Sequence, residues 1–127
     1  MYPHAGSFVE SDTIKQAYLL NTPFSAAPVT PNKGKLSDNY SFVSVSDDDV
    51  IIETVKKAEN SDDVVVRMYE SKDKKVKTKV RFGFAVEKAY ITDMLENIIS
   101  ELCVEDNTVE AELSNYEILT IKVTATK

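Results

Sequence analysis

The stretch Val76-Lys77-Thr78-Lys79-Val80-Arg81-Phe82-Gly83-Phe84 alternates with a period of two. Val76, Thr78, Val80, Phe82 and Phe84 fall on one side, and Lys77, Lys79, Arg81 and Gly83 on the other. Successive side chains of a β-strand point to opposite faces, so this pattern predicts a strand with one dry and one wet face. Segments 40–46, 50–57 and 64–70 are dense in Val, Ile, Phe and Tyr. Asp47-Asp48-Asp49 and Asn60-Ser61-Asp62-Asp63 separate them, and such residues suit turns. Segments 108–113 and 116–124 repeat the logic, with Val109, Ala111 and Leu113 opposite Glu110 and Glu112, and with Asn115 at the turn. Short strands at near-regular spacing predict a mainly β fold, an antiparallel β-sandwich.

A chain of 127 residues, 43% hydrophobic and 28% charged, is large enough for one core and too apolar to be disordered throughout. Its 15 basic and 21 acidic residues leave a net charge of −6. That balance disfavours nucleic acid, whose phosphates require a surplus of Lys and Arg. Apolar runs such as Ala17-Tyr18-Leu19-Leu20 fall far short of the ~20 residues that span a bilayer, so no membrane partner is expected. Cys103 is the single cysteine, so no intrachain disulfide can form. Met1-Tyr2-Pro3-His4 lacks the basic and apolar regions of a secretion signal. A cytoplasmic location is the expectation.

Residues 1–39 differ in texture from residues 40–127. Within 11–21, Ile14, Ala17 and Tyr18 stand at i, i+3 and i+4 behind Ser11 or Asp12 as N-cap, which predicts one short N-terminal helix. Pro23 stops it. Residues 22–39, with Pro23, Pro28, Pro31 and Gly34, read as an extended connection, with one strand around Pro28-Val29-Thr30 and mobility near Asn32-Lys33-Gly34-Lys35. The expected organisation is an N-terminal segment, 1–39, leading into a sandwich body, 40–127, as one structural domain. Ile91, Met94, Leu95, Ile98, Ile99 and Leu102 break the period of two. They form a helical stripe at i, i+3, i+4, i+7, i+8 and i+11, and pattern alone favours a helix there.

The chain offers little chemistry. His4 and Cys103 lie near opposite ends, so no His- or Cys-rich metal site is expected. Asp47-Asp48-Asp49 lacks the alternating ligands, glycine and distal Glu of a calcium loop and reads as a solvated turn. A lone His4 supports no catalytic triad and is read as structural, and three glycines give no phosphate loop. The basic run Lys72, Lys74, Lys75, Lys77, Lys79 and Arg81 reads as a solvated face that guards a strand against edge pairing, with an acidic partner as the alternative. Arg67 shares a strand face with Val65 and Tyr69, and an Arg in such a setting usually pairs with a carboxylate, here Glu59 or Glu70. Tyr116, before Ile118-Leu119, reads as a packing aromatic with a polar tip.

Five short signatures occur in a fixed order. They are Pro3-His4-Ala5-Gly6, Lys56-Lys57-Ala58-Glu59, Arg67-Met68-Tyr69-Glu70, Thr92-Asp93-Met94-Leu95-Glu96 and Tyr116-Glu117-Ile118-Leu119-Thr120. Together with Ala17-Tyr18-Leu19-Leu20-Asn21-Thr22-Pro23 they resemble the C-terminal β-sandwich region of family 38 glycoside hydrolases, the α-mannosidases, over nearly the whole chain. The departures lie in turns. Ser71-Lys72-Asp73-Lys74-Lys75 lacks a glycine often seen there, and Asp106-Asn107 stands where Asp-Gly is usual. For residues 91–102 the resemblance implies two extended segments, roughly 87–93 and 97–104, joined around Leu95-Glu96.

The resemblance also implies a retaining, metal-dependent parent enzyme that hydrolyses terminal α-mannosides. Its nucleophile and divalent metal, zinc, would belong to a separate catalytic domain, with no catalytic, cofactor or metal residue in this chain. By that reading the chain alone is inactive, and its partners are the remaining domains of the parent. The competing reading is an autonomous β-sandwich module that binds carbohydrate or protein. Self-association through bare strand edges is a third.

Overall fold

The computed structural model describes residues 2–31 and 33–126, and it divides into two units, Met1–Tyr40 and Ser41–Lys127. In the first unit a helix, α1, spans Thr13–Asn21. Asp12 occupies the N-cap position without a side-chain cap bond. Ser11 acts instead: its Oγ donates to the Phe8 carbonyl at 3.0 Å and accepts from the Thr13 N–H at 3.3 Å. The helix ends where the Thr22 N–H meets the Tyr18 carbonyl, one residue before Pro23. No residue of α1 is buried. The expected strand at Pro28-Val29-Thr30 does not form. Asn32, where mobility was expected to begin, lies outside the described residues.

The second unit holds nine strands among its described residues: β1 (Val43–Val45), β2 (Val50–Lys57), β3 (Val64–Glu70), β4 (Val76–Phe82), β5 (Val86–Thr92), β6 (Ile98–Leu102), β7 (Val104–Glu105), β8 (Thr108–Leu113) and β9 (Ile118–Ala125). They form a four-stranded sheet in the order β1-β4-β8-β7 and a five-stranded sheet in the order β2-β3-β9-β5-β6, and every pairing is antiparallel. The fold is a mainly β sandwich with a single short helix.

The core lies between the sheets. Val76, Val80, Phe82, Val109, Ala111 and Leu113 come from the four-stranded layer, and Val66, Met68, Ala89, Leu119, Ile121 and Val123 from the other. On β4 the period of two is complete, with Val76, Thr78, Val80 and Phe82 buried and Lys77, Lys79 and Arg81 exposed. The strand stops at Phe82, yet Phe84 still packs on the core and stacks with Phe42 at 4.7 Å between ring centroids.

The stripe at 91–102 is not a helix. The chain runs along β5, turns at Asp93–Asn97 and returns along β6, as the resemblance implied. Ile91 and Leu102 pack against the core, whereas Met94, Leu95, Ile98 and Ile99 are exposed. The helical spacing therefore mixes two unrelated environments. The second extended segment is also split, since β6 pairs in the five-stranded sheet and β7 in the other, with Cys103 at the crossing.

The turns that lack glycine use residues that tolerate left-handed backbone. Asp106 (φ 47°) and Asn107 (φ 58°) form the two-residue link between β7 and β8, and Asp73 has φ 59°. Positive φ at both central residues is the hairpin turn whose twist matches the strands, and Asn and Asp reach it more cheaply than other side chains.

Each outer strand is blunted. β1 and β7 have three and two residues. β2 carries a bulge at Glu53 and β6 one at Ile99, where the pairing register shifts. Short edges and bulges oppose pairing with another chain. β4 lies between β1 and β8, so its basic side chains do not guard an edge as the sequence suggested. Lys77 faces Glu112 at 3.4 Å and Lys79 faces Glu110 at 3.6 Å across the strand pair.

The outer face of β3, β9 and β5 is partly dry, because Val65, Thr92 and Thr120 are buried there although they point away from the core. Thr92 Oγ1 has no hydrogen-bond partner among the described residues. A buried hydroxyl without a partner costs about 1–3 kcal/mol. Thr92→Val keeps the shape and removes the hydroxyl, so it should stabilise the fold by about 1 kcal/mol in urea unfolding; a loss of stability would show that the hydroxyl is satisfied.

Candidate functional site

Two buried carboxylates, Glu70 and Glu96, organise the residues that the sequence singled out. Glu70 ends β3 at one end of the sandwich, and its side chain is 0% exposed. Its Oε1 accepts from the Lys72 N–H at 2.5 Å and its Oε2 from the Tyr116 N–H at 2.9 Å, while its own N–H donates to the Glu117 carbonyl at 3.0 Å. Around it the turns are cross-linked. Asn115 Nδ2 donates to the Asp73 carbonyl at 2.8 Å, the Ser71 N–H and Oγ both donate to the Asp49 carbonyl at 2.9 Å, and Lys74 pairs with Asp49.

Tyr116 contributes differently from what the sequence suggested. Its ring is exposed and its backbone is left-handed, with φ 55°. What it gives the fold is an N–H aimed at Glu70.

The second carboxylate sits in the β5–β6 turn. Asp93 accepts at Oδ1 from the Leu95 and Asn97 N–H groups at 2.8 and 2.9 Å, and at Oδ2 from Asn97 Nδ2 at 2.8 Å. These bonds, led by those from Asn97, hold its carboxyl below the ordinary aspartate range. Glu96 then adopts φ 68° and turns inward, leaving its side chain 9% exposed. It accepts from the Glu59 N–H at 2.9 Å and pairs with Lys56 Nζ at 2.9 Å. The Glu59 N–H, and after it Lys56, hold its carboxyl below the usual glutamate range. Lys122 Nζ donates to the Glu96 carbonyl at 3.2 Å.

Arg67 does not form the expected ion pair. Half-buried, it donates from Nε to Thr120 Oγ1 at 3.3 Å and from Nη2 to the Met94 carbonyl at 3.5 Å. Glu59 pairs with Lys56, and Glu70 is occupied by backbone N–H groups. Arg67 thus ties β3 to the tip of the β5–β6 hairpin. The sequence quoted Glu96 within a signature without giving it a role. The signal was present in Asp93 and Asn97, turn residues around an apolar pair, which mark a tight reversal whose remaining carboxylate has to find donors.

Unit one contains a smaller example. Gly6 has φ 74°, and a Cβ there would meet Glu10, whose Oε2 accepts from the Ser7 N–H at 2.8 Å. His4 is exposed, with its ring beside Tyr2 at 6.2 Å between centroids.

Glu110 and Glu112 line a shallow depression on the four-stranded sheet with Ser46, Lys77 and Lys79. Lys75 and then Lys77 hold the Glu112 carboxyl below its usual range, opposite to what a proton-donating glycosidase acid requires. Among the described residues no group of three or more His, Cys, Asp or Glu is placed to hold a metal ion. The side chains present therefore do not fit the divalent ion that the resemblance implied for the parent enzyme. No described helix is long and apolar enough to cross a membrane.

Two expectations follow from the carboxylates. Glu70→Ala takes the acceptor from two part-buried N–H groups and should cost about 1–3 kcal/mol in urea unfolding, while Glu70→Gln, which keeps an acceptor oxygen, should cost less; equal losses would show that packing rather than acceptance matters. A carboxyl whose folded value lies below its unfolded one adds stability above the unfolded value, and that stability is lost as pH falls through the folded value. Unfolding midpoints should therefore drop below about pH 4.3, and Glu96→Gln should flatten the drop without abolishing it, since Asp93 and Glu112 shift the same way. An unchanged slope would remove Glu96 from the account.

Comparison with known proteins agrees with this geometry. The chain matches the glycosyl hydrolases family 38 C-terminal beta sandwich domain over residues 49–121, which run from just before β2 into β9. It is 32% identical over 126 residues to alpha-mannosidase 2C1 of Homo sapiens and 32% identical over 124 residues to that of Mus musculus. These alignments cover 95% and 93% of the chain and 12% of each relative. Alpha-mannosidase G of Dictyostelium discoideum is 38% identical over 78 residues, 56% of the chain and 7% of that protein. The chain thus spans about an eighth of the length of the mammalian relatives. With that match laid over a two-sheet antiparallel sandwich, the chain belongs to glycosyl hydrolase family 38, as a C-terminal β-sandwich domain.

Proposed function

We propose that this chain is a non-catalytic accessory domain of an α-mannosidase that hydrolyses terminal α-mannosides, and that it supports the catalytic domains by packing against them. The observation that carries the reading is the first unit. Among its described residues only Ser11 is buried, while Leu20 is 81% and Phe24 96% exposed. Phe8, Tyr18, Leu19, Val29 and Leu36 are exposed on the same segment, and exposed apolar surface gathered in this way marks an interaction site where single exposed residues would not. A segment with no core of its own needs a surface to lie on.

The chemistry supports the same division of labour. The sandwich directs its buried carboxylates at backbone N–H groups, where they fix turns. The nucleophile and the divalent metal, zinc, belong in this proposal to a separate catalytic domain of the parent. A sugar-binding face would present aromatic rings on a concave surface. Here the exposed tyrosines are Tyr2, Tyr18 and Tyr40 in the first unit and Tyr116 at one end of the sandwich. A cytoplasmic location is part of the proposal, and it rests on Cys103 being a free, exposed thiol, as reducing compartments permit.

The test uses an aryl α-mannoside. This chain alone should show no turnover above background, and deleting it from the full-length enzyme should lower the temperature at which activity is lost. Chelator-sensitive hydrolysis by the chain itself would overturn the proposal.

A further inference from the structure

The turn between β5 and β6 is built inside out. One of its two charged residues, Glu96, is tucked under the hairpin, whereas Leu95 is 81% exposed. Met94, Ile98 and Ile99 are exposed beside it. Solvent alone would favour the reverse, because a buried carboxylate and an exposed leucine both cost free energy. The backbone is held in this form by Asp93 bonded to Leu95 and Asn97, by a left-handed Glu96, and by Arg67 and Lys122 on the Met94 and Glu96 carbonyls. The bulge at Ile99 adds an extra residue to β6, and a bulge re-aims side chains on its strand.

We infer that this hairpin tip and β6 form a preformed apolar docking surface, made of Met94, Leu95, Ile98 and Ile99, and that its occupant is an apolar face in the remainder of the parent mannosidase polypeptide. The inference rests on the accessory-domain reading and says which surface does the packing. Because the chain spans 12% of the length of its mammalian relatives, most of such a polypeptide lies outside it. A second copy fits less well. Two copies each carry a net charge of −6, and the bulges on β2 and β6 oppose edge-to-edge pairing. Rigidity of the hairpin lowers the ordering cost of docking. Within residues 94–99 the one charged side chain, Glu96, points away from the surface.

Hydrogen–deuterium exchange tests this on the full-length enzyme and on this chain alone. In the full-length protein the amides of residues 94–102 should exchange at least about tenfold more slowly than in the chain alone, and Ile99→Lys should remove that difference. Ile99 is exposed, so the variant chain should melt as the parent chain does; a lowered melting temperature would itself contradict the exposed, non-core role. Slower exchange confined to other segments would overturn this inference and leave the accessory reading intact. No difference anywhere in the domain would overturn both. Protection of residues 94–102 in the chain alone that grows with its concentration would make the occupant a second copy and overturn the proposal.

Discussion

A carboxylate taken out of water has to be met by hydrogen-bond donors, and this fold meets two of them with backbone N–H groups, at least one for each coming from a distant part of the chain. Glu70 gathers the N–H of Lys72 and of Tyr116, and Glu96 gathers that of Glu59 together with the Lys56 ammonium. The Glu70 contacts close the end of the β3–β9 pair, whereas the Glu96 contact joins β2 to a hairpin with which it shares no ladder. The Glu70 contact fastens the turns at one end of the sandwich, and the Glu96 contact folds a hairpin over the outer face of β3 and β9. An apolar pair placed at either position would offer burial without direction. A carboxylate offers direction, since its oxygens accept only along their lone pairs.

Four of the five short signatures meet in the fold. Lys56 and Glu59 are joined to Glu96, Arg67 to Met94, and Glu70 to Tyr116 and Glu117. Residues of those four signatures tie turns and strand ends together. That use also accounts for what they do not do. The Glu96 carboxyl, held below its usual range by the Glu59 N–H and then by Lys56, is a poor proton donor.

The strands were legible where one cause set the pattern. At 76–82 and 108–113 the two-sheet core alone decides which side chains turn inward, and period two marks those limits. Residues 91–102 misled because Ile91 and Leu102 face the core while Met94, Leu95, Ile98 and Ile99 face outward. Pairing of β5 with β9 overrode a helical spacing that no single surface had produced. The candidate site was legible in its residues and not in its bonds. Arg67 and Glu70 do not pair with opposite charges as the sequence suggests, because the donors to Glu70 are backbone groups that every residue but proline carries. Tyr116 was likewise read through its ring, when its left-handed backbone is what the fold uses.

The central claim is that two carboxylates, through backbone N–H groups, fasten the sandwich. Amide exchange of Lys72, Tyr116 and Glu59 in the native chain, followed residue by residue by NMR, tests it most directly. The account predicts protection approaching that of the β9 core amides at all three positions, although Glu59 and Tyr116 are exposed residues outside the strands. Exchange at the rate of an unstructured peptide would show that the carboxylates hold nothing and would contradict the account.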